Sequence, residues 1–132
     1  MNKKAGSNVI TARLKSDKLQ LLNSTSLEVA GDVVAFASSD ARLKDNVTVI
    51  DSALNKVKQI RGVEFDWNDK QNTHKGHDIG VIAQEVEQVV PELVRERDDG
   101  YKAVDYPKLT AVLIEAVKEL ELKVKELEEK LK

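Results

Sequence analysis

Two serines, an aspartate, an arginine and a lysine crowd into nine residues, Phe36-Ala37-Ser38-Ser39-Asp40-Ala41-Arg42-Leu43-Lys44. Hydroxyls beside an amine admit two readings. One is a polar capping turn, Ser-Asp leading into Lys44-Asp45-Asn46. The other is a place where the chain cuts itself. A serine hydroxyl is a poor nucleophile until a base removes its proton. A lysine can be that base only as the neutral amine, so its ordinary pKa of about 10.4 must fall toward neutrality. Burial does this, because desolvation disfavours the ammonium. Ser39 and Lys44 are five residues apart, off the common face of a helix, so they can meet only through a turn or an extended segment. Asp40 and Arg42 could shape that turn, and Arg42 could lower the Lys44 pKa through like charge.

Other reactive side chains are fewer. His74 and His77, in Asn72-Thr73-His74-Lys75-Gly76-His77-Asp78, invite a metal, but two histidines and one aspartate in a loop lack the further ligands a fixed geometry needs. They read as loop composition, and no metal or cofactor is expected. Gly62, Gly76 and Gly80 form no phosphate-binding pattern. Zero cysteines exclude disulfides and thiolate chemistry.

Composition narrows the class further. At 132 residues the chain is at most one ordinary domain with an appendage at each end. Charged residues are 33% and hydrophobic ones 41%, the balance of a folded chain. The 21 basic residues nearly match the 23 acidic ones, for a net charge of −2, which argues against nucleic acid as the main partner. No apolar run approaches the roughly 20 residues of a membrane span. The start, Met1 to Arg13, has basic residues but no apolar run behind them, unlike a secretory leader.

The elements that must position the reactive stretch follow from periodicity. Residues 8–37 read as short strands: Val9 to Leu14, Leu19 to Leu22, Leu27 to Ala30 and Val33 to Ala37, punctuated by Ser-Asp-Lys and Gly31-Asp32. Their apolar faces exceed what so small a piece can cover alone, so the strands are expected to pair with other chains. Val49 to Ile60 has helical spacing, stopped by Arg61-Gly62. Val63, Phe65 and Trp67 alternate as one face of a strand, and Asn68 to Asp78 reads as a polar loop. Ile82, Val86 and Val89 mark a short helix ending before Pro91. Leu93 to Arg97 and Tyr101 to Asp105 flank Asp98-Asp99-Gly100 as a hairpin.

From Pro107 onward nothing breaks a helix before Lys132. Leu113, Val117, Leu120, Val124, Leu127 and Leu131 form a heptad seam, with Val117, Val124 and Leu131 at a and the other three at d. Lys123 falls at g and Glu128 at the following e, where neighbouring parallel helices could pair opposite charges. Val at a with Leu at d leans toward two strands by the general rule. A single amphipathic core helix is the alternative.

Ser39-Asp40-Ala41-Arg42-Leu43-Lys44 resembles the Ser-Asp-x-Arg-Leu-Lys signature of the self-cleaving C-terminal intramolecular chaperones of phage tail spikes and tail fibres, a domain type also found in membrane-tethered myelin regulatory factors. The likeness continues through Val63 to Trp67, Gly80 to Val86, Pro91 to Val94, Val104-Asp105-Tyr106 and Leu113 to Leu120, covering residues 38 to about 131 in order.

The resemblance implies an α+β fold in three parts. Residues 1–38 would be the end of an upstream β-rich fibre segment, intertwined with other chains. Residues 39–106 would be the chaperone core, and residues 107–132 a helix in a trimeric coiled coil. It implies a homotrimer that helps an upstream fibre or spike segment of the same chain to assemble in the host cytoplasm. The chaperone then severs itself before the serine, with no nucleic acid or membrane partner. Carried over by motif, Ser39 is the nucleophile, Lys44 its base, and the scissile bond joins Ser38 to Ser39. The attacked carbonyl is adjacent to the nucleophile, so an N-to-O acyl shift followed by ester hydrolysis fits as well as direct serine-protease chemistry. Ser38 is a rival nucleophile, but six residues from Lys44 it departs from the motif. Where the family can hold histidine this chain has Gln84, which is no acid or base and is expected at most to position or to donate to an oxyanion. Glu85 is expected to be a structural hydrogen-bond partner. The competing readings are a trimerisation module that never cuts, and the regulatory version that frees a transcription factor from a membrane. The second lacks its DNA-binding and membrane segments within these residues.

Overall fold

The computed structural model describes residues 12–14, 17–21 and 26–132. The chain divides into two units, Met1–Ser38 and Ser39–Lys132. In the first, β1 (Ala12–Leu14) and β2 (Leu19–Leu21) pair antiparallel, Ala12 with Leu21 and Leu14 with Leu19. The expected strand residues Val9, Ile10, Thr11 and Leu22 lie outside the described residues. Leu27 to Ala30 and Val33 to Ala37 form no strand. Within the single chain they stay irregular, and the reason is pairing, since the sequence expectation places their partners in other chains. A strand needs a neighbour for its N–H and C=O groups and cover for its apolar face. Here Phe36 is 96% and Val34 82% exposed.

The second unit is built on a small core of Ala53, Val86, Leu93, Val112 and Ala116, ringed by residues including Ile50, Leu54, Val57, Val81, Val104 and Leu109. Three helices supply all of it but Leu93: α1 (Ala53–Lys58), α2 (Ala83–Val89) and α3 (Leu109–Lys130). The first is shorter than its periodicity suggests, because Ser52 sits in the left-handed region at φ 50° and starts the helix there. Ser52 therefore cannot cap in the usual extended conformation. Its place is taken by Glu119 of α3, whose two carboxylate oxygens accept the N–H groups of Ala53 and Leu54, each at 2.9 Å. Pro91 ends the second helix as expected and opens a tight turn, Pro91–Leu93.

Two hairpins flank the helices. In β3 (Val63–Asp66) and its continuation Val63, Phe65 and Trp67 are half-buried while Glu64 and Asp66 are exposed, the expected alternation. Its partner β4 (His77–Gly80) runs antiparallel, with Asp66 opposite His77 and Val63 opposite Gly80. Here the expected loop gives way: His77 and Asp78 belong to a strand. Its side chains are polar or exposed, so it carries no alternating signal, and cross-strand pairs hold it. His77 Nδ1 lies 3.0 Å from Asp66 Oδ1, and Trp67 Nε1 donates to Asp78 Oδ2 at 3.0 Å. The connecting loop is organised by Gln71. Its amide donates to the carbonyls of Asn68 and His74, and its oxygen accepts the N–H groups of Thr73 and His74.

The second hairpin pairs β5 (Val94–Glu96) with β6 (Lys102–Val104) around Gly100 at φ 83°, a conformation glycine adopts at little cost. Tyr106 then reaches back, its hydroxyl accepting the Val81 N–H at 3.2 Å. A Cβ on Gly80 would lie 2.6 Å from that hydroxyl oxygen, so a side chain there would push the tyrosine hydroxyl aside. The last helix has two apolar faces. Val112 and Ala116 pack inward, whereas the heptad residues Leu113, Val117, Leu120, Val124, Leu127 and Leu131 are 45% to 87% exposed.

Candidate functional site

The reactive stretch lies at the start of the second unit, on an arm whose residues 39–49 are all exposed. Asp40 shapes it. Extended at φ −65° and ψ 132°, it caps a single helical turn, Ala41–Leu43, by accepting the Arg42 N–H at 2.9 Å. The Arg42 side chain folds back onto the same carboxylate, Nε to Oδ1 at 3.0 Å and Nη2 to Oδ2 at 2.9 Å. This two-pronged hydrogen bond holds the Asp40 carboxyl below the usual carboxylate range and raises Arg42. The Leu43 N–H donates to the Asp40 carbonyl and the Lys44 N–H to that of Ala41, at 3.1 and 3.2 Å.

The turn brings the chain back on itself. Lys44 Nζ donates to Ser39 Oγ at 2.9 Å, across a spacing that no helix face would bridge. A neutral amine at the same distance would accept the hydroxyl proton instead. That is the separation a general base requires. Both groups are exposed, so burial of the amine, expected from sequence, is not supplied by one chain. Nor does Arg42 act as a free like charge beside Lys44, because its guanidinium is matched by Asp40. Ser38 immediately precedes the pair and is likewise exposed.

The other singled-out residues stand elsewhere. Gln84 is exposed in the first turn of α2 and makes no hydrogen bond to Ser39 or Lys44. Glu85 is the structural partner it was expected to be, accepting Arg61 Nε at 2.8 Å and held below its ordinary range by that hydrogen bond. His74 stacks on Trp67 with ring centroids 4.6 Å apart. No three acidic or histidine side chains among the described residues are placed to hold a metal, and no described helix is long and apolar enough to cross a membrane. Sequence reasoning missed the Glu119 cap on α1, since nothing local links residues 66 positions apart.

Residues 39–95 match the family described as the chaperone of endosialidase, a peptidase family. The chain is similar to the long tail fiber protein Gp37 of Enterobacteria phage K3, 42% identical over 104 residues, which cover 73% of this chain and 8% of that protein. The Gp37 of Enterobacteria phage T2 matches to the same extent, 42% over 104 residues. That of Salmonella phage S16 is 31% identical over 102 residues, covering 72% of this chain and 14% of that protein. The chain thus spans only 8% to 14% of the length of these relatives. The match over residues 39–95 places that stretch in the chaperone-of-endosialidase family, and the likeness to long tail fibre proteins supports a chaperone domain of phage tail fibres in this chain.

Proposed function

We propose that this domain assists three copies of its chain to assemble a phage tail fibre segment and then releases itself by cutting between Ser38 and Ser39. The observation that carries the reading is the 2.9 Å approach of Lys44 Nζ to Ser39 Oγ. Neutral Lys44 takes the hydroxyl proton, and Oγ attacks the Ser38 carbonyl carbon. The tetrahedral adduct expels the Ser39 nitrogen, which recovers the proton from Lys44 and becomes a free amine. Water then hydrolyses the Ser38 ester on Oγ. The products are residues 1–38, ending in a carboxylate, and residues 39–132, beginning with Ser39. Asp40 and Arg42 serve as the clasp of the turn, not as proton carriers.

The exposed heptad seam of α3 supports assembly through that helix, and the resemblance of the Ser39 to Lys44 motif to the intramolecular chaperones of phage tail fibres is what favours three chains over two. Neighbouring chains would also supply the cover that Lys44 lacks alone, so cutting would wait for assembly. Against this stands a module that trimerises and never cuts. Its favouring observation is that Ser39 and Lys44 are both exposed, which leaves the amine hydrated. Intact-mass measurement on freshly made protein separates the two. The cutting reading expects residues 39–132 to accumulate, Ser39→Ala to abolish the cut and Ser38→Ala to retain it. A new terminus at any residue but Ser39 overturns the assignment.

A further inference from the structure

The arm that carries Ser39 and Lys44 is exposed from residue 39 to residue 49. Ile50 is half-buried, and Ala53 is the first residue of the second unit with no exposed surface. The arm is therefore fastened to its body at the start of α1. Two features set the direction in which it leaves. One is the left-handed turn at Ser52, with φ 50° and no capping bond from its own hydroxyl. The other is Glu119, half-buried, whose two oxygens occupy the N–H groups of Ala53 and Leu54, two of the free donors of the helix's first turn.

Glu119 belongs to the helix whose seam is exposed, yet it stands off that seam. With Val117 at a and Leu120 at d, it occupies a c position, as does Val112, which is buried against the core. One turn of α3 thus bears the seam on one side and the arm's fastening on another. A carboxylate gripping two backbone N–H groups is directional in a way that apolar packing of Val112 and Ala116 is not. Any shift of α3 on joining a bundle would reach the root of the arm through these two bonds.

We infer that Glu119 is a positioning residue, which ties the seating of α3 in the assembled bundle to the placement of the Ser39–Lys44 arm. The inference rests on the self-cleaving reading. Glu119→Ala and Glu119→Gln are compared in the full chain with Val112→Ala, which loosens the same helix contact while sparing both amides. All three are expected to keep the assembled mass. Glu119→Ala should slow cleavage in the assembled protein by about tenfold or more, since the arm would no longer be held where neighbouring chains cover its amine. Glu119→Gln keeps one acceptor oxygen and should recover part of the rate, and Val112→Ala should cut at close to the wild-type rate. An assembled Glu119→Ala protein that cuts normally overturns the inference, as does a Val112→Ala loss of equal size. If the alanine variant fails to assemble, the glutamine variant decides: slowed cleavage upholds the inference and an unchanged rate overturns it. If the wild-type chain never cuts, the cleavage reading has failed. Hydrogen exchange then tests the fastening itself: the Ala53 and Leu54 amides should exchange faster in Glu119→Ala, and unchanged exchange overturns the fastening.

Discussion

Lys44 Nζ stands 2.9 Å from Ser39 Oγ because Asp40, one residue after the serine, caps the single turn that ends one residue before the lysine. Arg42 completes the clasp by gripping the Asp40 carboxylate with two nitrogens. A six-residue segment thereby presents a hydroxyl and an amine at reacting distance without help from the core. What it does not provide within one chain is cover for the amine.

Substitution of the lysine tests its role as base. Lys44→Ala should slow cleavage by about 10² or more, the usual contribution of a positioned base. Lys44→Arg should fail as well, since a guanidinium keeps its proton. Electrophoresis of freshly made protein over time measures both. An arginine variant that cuts at the wild-type rate removes Lys44 from the chemistry.

The seam should control both mass and cutting. Leu120 and Leu127 are 50% and 59% exposed in the single chain, so in a bundle they would be covered. Replacing both with aspartate would place charges where unpaired burial is costly. The expected product is largely monomeric by light scattering and mostly uncut, although Ser39 and Lys44 are intact. A monomer that cuts at full rate would show that the pair needs no neighbour.

Acid should loosen the second unit through its carboxylates. Hydrogen bonds from Arg61 to Glu85 and from Arg97 to Asp99 hold both acids below their ordinary range. A group with a depressed folded pKa adds stability above its unfolded value, and that contribution is lost as pH falls through the folded value. Thermal melts should therefore be flat near neutrality and decline below about pH 4, where ordinary carboxylates titrate. Glu85→Gln should lower the neutral melting temperature and shrink the acid decline. An unaltered acid decline in that variant would remove Glu85 as a contributor.

A side chain at Gly80 should displace the Tyr106 hydroxyl and lower stability. A Cβ there would sit 2.6 Å from the tyrosine hydroxyl, so Gly80→Ala should cost about 1–3 kcal/mol, the usual range for overpacking. Denaturant titration reads the loss. Adding Tyr106→Phe removes the clashing oxygen and should restore part of it. No recovery in the double variant would place the strain elsewhere.

Local physics decided much of this molecule. The alternation of Val63, Phe65 and Trp67 and the stop before Pro91 needed only periodicity and the geometry of proline. The heptad spacing of α3 was equally legible, though not which of its faces meets its own core. The Ser39–Lys44 pair was legible too, because every atom that brings it together lies within six consecutive residues. Tertiary structure decided the rest. β4 is polar and exposed, so only its pairing with β3 makes it a strand. Leu27 to Ala37 has strand residues but no strand partner among the described residues, and propensity without a ladder leaves it irregular. The start of α1 was set by a carboxylate 66 residues away, a contact that no window along the sequence contains.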